Sequence, residues 1–164
     1  MLIWIVTALA VIIIDESTQW LVITYLKPIN SYPLWKDVLH LTYAENTGAA
    51  FGILKDSRWV FIIISSVAIL GMIIFMIFQR NKNILFLISA GMIIGGGIGN
   101  MIDRILYGYV VDFIDFTLIN FAIFNGADSF ICIGAALLFI YIIFIESGKK
   151  EGIKINGSNE INYK

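Results

Sequence analysis

Charge is what this sequence has least of for its length. Only 14% of its 164 residues are Asp, Glu, Lys or Arg, where ordinary soluble domains carry about a quarter. Eleven basic and twelve acidic residues leave a formal charge of −1. No basic patch is present to neutralise phosphates, so no nucleic-acid partner is expected. There is one cysteine and one histidine. Cys132 therefore has no internal disulfide partner, and with His40 distant in sequence the pair makes a poor zinc site. Its place inside an apolar run reads as that of a small buried hydrophobe. Neither a metal nor an organic cofactor is suggested. What the chain does have is apolar residues, 59% of the total, and these are gathered into long runs.

A helix crossing a bilayer needs about 20 mostly apolar residues. Four stretches meet that length: residues 2–26, 59–78, 84–106 and 129–145. The first is interrupted by Asp15-Glu16-Ser17-Thr18-Gln19. It has no basic flank before it and ends unlike a cleavable leader, so it reads as a retained helix. The expected organisation is one integral membrane domain over residues 1–148, then a polar, disordered cytoplasmic tail over 149–164. Four crossings place both ends on one side. Arg80, Lys82, Lys149 and Lys150 flank short connections on that side, which makes it cytoplasmic, while residues 107–127 carry no Lys or Arg and suit the outer face.

Two connections are more than loops. Val38-Leu39-His40-Leu41-Thr42-Tyr43 is apolar and β-branched between turn residues, so short strands are expected there. Residues 109–124 are apolar and aromatic and are read as an interfacial segment. Trp35, Tyr43, Tyr107 and Tyr109 suit the membrane–water boundary.

Helical rise places the intramembrane polar residues in one layer. Asp15 lies about 20 Å up the first span and Asn100 about 24 Å up the third. Asp128 begins the fourth. Charged groups within a span are costly and usually face a cavity or one another, so a shared depth points to a shared site. Several members have plainer readings. Asp15 suits a helix partner for Arg104, and Asp103-Arg104 suits an ion pair at the membrane edge. Glu16 and Gln19 mark where the helix nears water. Gly91, Gly95, Gly96, Gly97 and Gly99 suit close helix packing; no strand precedes them and no Lys-Ser/Thr follows, so they are no phosphate loop. His40 suits a strand.

Asp112 and Asp128 resist such readings. Asp112 stands between Val110-Val111 and Phe113-Ile114, an acid within an apolar interfacial stretch. Asp128 could serve simply as a cap for the fourth helix. Two carboxyl groups close together in a dry pocket do not both ionise cheaply, so one keeps a proton. The ionised partner can then draw a proton from water while the other polarises a carbonyl, which is amide hydrolysis without metal or nucleophile. No Ser-His or Ser-Lys pair is comparably placed.

With these residues located, the chain resembles the bacterial lipoprotein signal peptidases. The matching blocks are Asn46-Thr47-Gly48-Ala49-Ala50-Phe51-Gly52, Gly99-Asn100-Met101-Ile102-Asp103-Arg104, Val110-Val111-Asp112-Phe113-Ile114-Asp115 and Phe124-Asn125-Gly126-Ala127-Asp128-Ser129, in family order and at similar spacing. The resemblance implies that Asp112 and Asp128 are the catalytic pair, and that Asp15, Asn46, Gly48, Asn100, Arg104 and Asn125 line the site or hold substrate or the dyad. It also implies a helical membrane fold with a small extracytoplasmic β-sheet cradle and an interfacial segment over the active site. The family's first helix usually reads Asp-Gln-x-Thr-Lys. Here it is Asp15-Glu16-Ser17-Thr18-Gln19, and the lost lysine is expected to alter lipid or substrate contacts. The implied activity is removal of the signal peptide from diacylglyceryl-modified prolipoproteins, before the lipidated cysteine, by a chain acting as a monomer in the cytoplasmic membrane with its site near the outer leaflet. A proton-coupled transporter and a non-catalytic membrane scaffold are the rivals. A transporter would spread polar groups through the bilayer, whereas the second span is almost wholly apolar. A scaffold would have no need of the two acids.

Overall fold

The computed structural model of the chain describes residues 2–48 and 54–146. The 149–164 tail and Ala49-Ala50-Phe51-Gly52 of the first motif block lie outside them. Among the described residues, four helices are long and apolar enough to cross a membrane. α1 (Leu2–Leu21) runs on through a π-helical turn, Val22–Leu26. α2 spans Arg58–Phe78 and α3 Ile84–Leu106. α4 (Gly126–Ile140) continues in a second π turn, Tyr141–Glu146. The expected spans agree within one residue except the fourth, which starts three residues earlier. The start is set by Asn125, whose side chain accepts from the backbone N–H of Asp128, a helix-capping arrangement. Asn83 starts α3 in the same way, accepting from Leu85 and Phe86.

α3 is the central helix. Of its apolar window 61% is buried, against 11% for α2 and for α4. Its glycines make that position possible. A Cβ on Gly91 would stand 2.6 Å from the Trp4 carbonyl oxygen, one on Gly95 2.7 Å from that of Ala8, and one on Gly96 2.5 Å from that of Ala127. The backbones of α1 and α4 thus lie directly on α3, as small-residue packing in membranes requires. α1 presents Trp4, Ala8, Val11, Asp15, Gln19, Val22 and Leu26 inward. These recur every three or four positions, so Asp15 and Gln19 belong to the same buried stripe as the apolar residues.

The connections between α1 and α2 and between α3 and α4 build a three-stranded antiparallel sheet in the order β1-β2-β3, from Ser31–Trp35, Leu39–Asn46 and Val110–Asp115. The expected strand around Val38–Tyr43 is β2. The first part of residues 109–124, read from sequence as an interfacial segment, is β3. Its alternation decides this: Val111 and Phe113 pack with Val22 and Leu26 over the end of α1, and Asp112 points the other way. Pairing sets Ala44 opposite Asp112 and Asn46 opposite Val110, beyond an irregularity between Leu41 and Ala44. After β3, a 3₁₀ turn (Thr117–Ile119) leads to Phe124, which bridges back to Ile114. The sheet, the C-terminal ends of α1 and α3 and the N-terminal ends of α2 and α4 therefore meet at one end of the molecule.

Candidate active site

A cavity of about 540 Å³ opens at that end, walled by α2, α3, α4, β3 and the segment before α4. Asp112 reaches it from β3 and Asp128 from the first turn of α4. Asn46, Gly48, Asn100 and Arg104 line it as well.

Each acid has one amide assigned to it. Asn46 donates through Nδ2 to Asp112 Oδ2 at 2.8 Å, while its own Oδ1 accepts from Gly48 N–H at 2.9 Å. That local turn fixes the Asn46 rotamer, and the β2–β3 register supplies the reach. Asn100 donates to Asp128 Oδ1 at 2.7 Å. Asn125 in turn donates to Asn100 Oδ1 at 2.9 Å and accepts from Asp128 N–H at 2.8 Å. One asparagine thus caps the helix that carries the acid and orients the amide that holds it. Arg104 donates to the carbonyl oxygens of Asn100 and Gly48 at 3.0 and 3.2 Å, and its guanidinium lies 5.0 Å from the Phe61 ring centre. It ties the loop after β2 to α3 and brings a positive charge to the cavity wall.

Behind the wall stand two further carboxylates. Asp15 and Asp103 are wholly inaccessible to solvent. Asp15 accepts from Ala127 N–H at 2.8 Å and from Gln19 Nε2 at 2.9 Å. Asp103 lies 3.4 Å from Val111 N–H. Each therefore braces the residue that immediately precedes one of the two cavity acids. Gly99 makes room for Asp15, since a Cβ there would come within 2.6 Å of its Oδ2.

These contacts revise several expectations. Asp15 and Asn125 support the cavity from behind rather than line it. Arg104 pairs with neither Asp15 nor Asp103; the ion pair among the described residues is Lys27–Glu45. Gln19 is buried, 2% exposed, rather than near water. Its i+4 spacing from Asp15 on the inward stripe was the available signal. Cys132 is not buried: it is exposed on the cavity wall, one turn beyond Asp128. Phe61, Ser65 and Gly97 also wall the cavity and have no chemical signature in sequence. His40 lies on β2 opposite Asp115.

Burial pushes the Asp112 carboxyl up to about 7, and the negative charge of Asp128 adds to the rise; the Asn46 hydrogen bond and then Arg104 oppose it. Asp112 Oδ1 is buried and has no protein partner. An acid so placed holds a proton near neutrality and keeps one oxygen free for a ligand.

The fold is that of a membrane protein with an acid-lined cavity at one end of its helices. Comparison with known proteins fixes the family. The chain belongs to the signal peptidase II family, whose model, described as "Signal peptidase (SPase) II", matches residues 7–144. It is 47% identical over 137 residues to the lipoprotein signal peptidase of Halothermothrix orenii, covering 84% of this chain and 92% of that one. To that of Halalkalibacterium halodurans it is 43% identical over 154 residues, covering 92% and 98%. Among solved structures, a bacterial membrane enzyme determined by the in meso method at 2.3 Å resolution superposes with a TM-score of 0.81 at 35% identity, covering 90% of this chain and 92% of that one.

Proposed function

We propose that the chain removes signal peptides from diacylglyceryl-modified prolipoproteins, cutting the bond before the lipidated cysteine, with Asp112 and Asp128 as an acid–base dyad. One observation carries this: two carboxyl groups from separate elements, each held by its own asparagine, face one cavity in which Asp112 Oδ1 is left without a partner. The names of the relatives supply the substrate class.

The two acids share one proton. The ionised member takes a proton from a water, whose oxygen attacks the scissile carbonyl carbon; the protonated member donates to the carbonyl oxygen. The tetrahedral intermediate then collapses, the amide C–N bond breaks, and the leaving nitrogen takes up a proton from the dyad. General acid–base help of this kind is worth about 10² to 10⁴-fold. The dyad titrates as a unit, so the proton belongs to the pair. Arg104 and Asn46 sit where they can position the substrate backbone. The enzyme acts as a single copy in the cytoplasmic membrane, with both ends cytoplasmic and the cavity toward the outer leaflet, where signal helix and lipid chains both lie.

The test is cleavage of a purified diacylglyceryl-modified prolipoprotein by the detergent-solubilised protein, alongside Asp112→Asn and Asp128→Asn. Wild-type cleavage that is lost in both folded variants and indifferent to chelators supports the dyad. Normal turnover by either variant refutes it.

A further inference from the structure

The two cavity acids come from different elements, Asp112 from β3 and Asp128 from α4. Each is steadied from behind by a carboxyl group. Asp15 accepts from Ala127 N–H, just before Asp128, and Asp103 from Val111 N–H, just before Asp112. Two such braces set the distance between the acids only where the braces are joined to each other. Asp15 belongs to α1 and Asp103 to α3, so the joint has to cross the contact between these helices.

Gln19 stands at that crossing. It follows Asp15 by four positions and so shares its face of α1, and it is buried. Gly91, Gly95 and Gly99 bring α3 against α1, close enough for a side chain of glutamine's length to reach from one helix to the other. Its Nε2 donates to Asp15 Oδ2 at 2.9 Å, and the same amide carries a second hydrogen. Asp103 is the other carboxyl group that the Gln19 side chain meets, and its Oδ1 is buried without a direct hydrogen bond. Among the described residues no salt bridge reaches Asp15 or Asp103. Hydrogen-bond donors therefore have to hold them, since a buried carboxyl oxygen without a donor is costly.

We infer that Gln19 is a positioning residue for the reaction: its amide joins Asp15 to Asp103 and closes a chain of contacts that runs from Asp128 through Ala127, Asp15, Gln19, Asp103 and Val111 to Asp112. The purpose of the bridge rests on the dyad reading, whereas the bridge itself does not. With the chain closed, the strand and the helix that carry the acids are held at a set separation. With it open, each brace follows its own helix. A misplacement of about 1 Å at a reacting group can cost about 100-fold in rate, so a residue that touches neither acid governs turnover.

The experiment uses the full chain in detergent with two variants. Gln19→Met keeps the length and the burial but has no donor, and Gln19→Lys offers three N–H groups. In nitrogen–proton correlation spectra of Gln19→Met, the amide resonances of both Ala127 and Val111 should move. Its kcat on lipidated prolipoprotein should fall about 10- to 100-fold with KM unchanged, and Gln19→Lys should recover most of that loss. Recovery by a residue of different shape and charge is not what a packing role predicts. Should Gln19→Met fail to fold, Gln19→Asn, one carbon too short to span the two acids, is read in the same way. A resonance shift confined to Ala127, or wild-type kcat in the folded methionine or asparagine variant, would overturn the inference. Were the wild type itself unable to cleave, the dyad reading would fall, and the two amide resonances would still decide whether the bridge exists.

Discussion

Asn125 performs two tasks with two atoms, and substitution can separate them. Its Oδ1 caps α4 through Asp128 N–H, and its Nδ2 orients Asn100. Asn125→Ala removes both. Losing a cap costs about 0.5–2 kcal/mol, and leaving Asn100 Oδ1 buried without a donor costs about 1–3 kcal/mol more. The alanine variant should therefore lose on the order of 2–5 kcal/mol of stability along with activity. Asn125→Asp keeps the cap and adds a negative charge at a helix N-terminus, which is favourable. It also turns the donor that faced Asn100 into an acceptor. Asn100 then has to reverse its amide, which takes its Nδ2 away from Asp128 Oδ1. A hydrogen bond to a charged group is worth about 1.5–3 kcal/mol, or about 10- to 100-fold in rate. Thermal unfolding in detergent and single-turnover cleavage of lipidated prolipoprotein read the two effects separately. The aspartate variant should unfold near the wild-type temperature and cleave 10- to 100-fold more slowly, by the same conversion. If it cleaves normally, or if the alanine variant is as stable as wild type, the relay from Asn125 through Asn100 to Asp128 has no energetic content.

Asp112→Asn should be inactive yet more stable than wild type at alkaline pH. With its carboxyl raised from 3.8 to about 7 by burial, the folded protein holds a proton that the unfolded chain releases above about pH 4. Stability therefore falls as pH rises through that window, by on the order of 4 kcal/mol at the top; unfolding temperatures of the two proteins should converge near pH 4 and separate near pH 8. The same titration predicts that cleavage declines above about pH 7, where the dyad loses its shared proton, and a pH–rate profile that stays flat to pH 9 would contradict it. Gly96→Ala should destabilise by about 1–3 kcal/mol through overpacking, because its Cβ would lie 2.5 Å from the Ala127 carbonyl oxygen; Gly71→Ala, with nothing within 4 Å, should be neutral or stabilising in the same thermal assay. Arg104→Lys should weaken activity more than stability, since one ammonium does not span the Asn100 and Gly48 carbonyls as the guanidinium fork does.

The spans were legible because membrane helices announce themselves by length and continuity of apolar residues, and only a cap moved a boundary. The sheet was legible in part. β1 contains Pro33, which argues against a strand unless the strand is an edge, and β1 is an edge. β3 was hidden by its surroundings. Val110-Val111-Asp112-Phe113-Ile114-Asp115 buries one face against α1 and turns the other to a cavity, so both faces carry apolar residues and the alternation is visible only after the acids are given different sides.

The site divides along the same line. Residues that touch the cavity through a charged or amide group could be found in sequence, because each is expensive in a membrane and has to be justified by a partner. Contacts made to backbone amides could not. Asp15 and Asp103 gain their meaning from Ala127 and Val111, which are 112 and 8 positions away, and nothing in an apolar residue's identity signals that its N–H is held. Yet these contacts are what place two acids from unrelated elements beside one cavity. A strand and a helix that meet only at a site need fixed points near the residues that react, and a buried carboxylate is the strongest acceptor a side chain offers a backbone amide. The four acids therefore stand in two ranks: Asp112 and Asp128 face the cavity, and Asp15 and Asp103 behind them hold the backbone N–H groups just before the front pair.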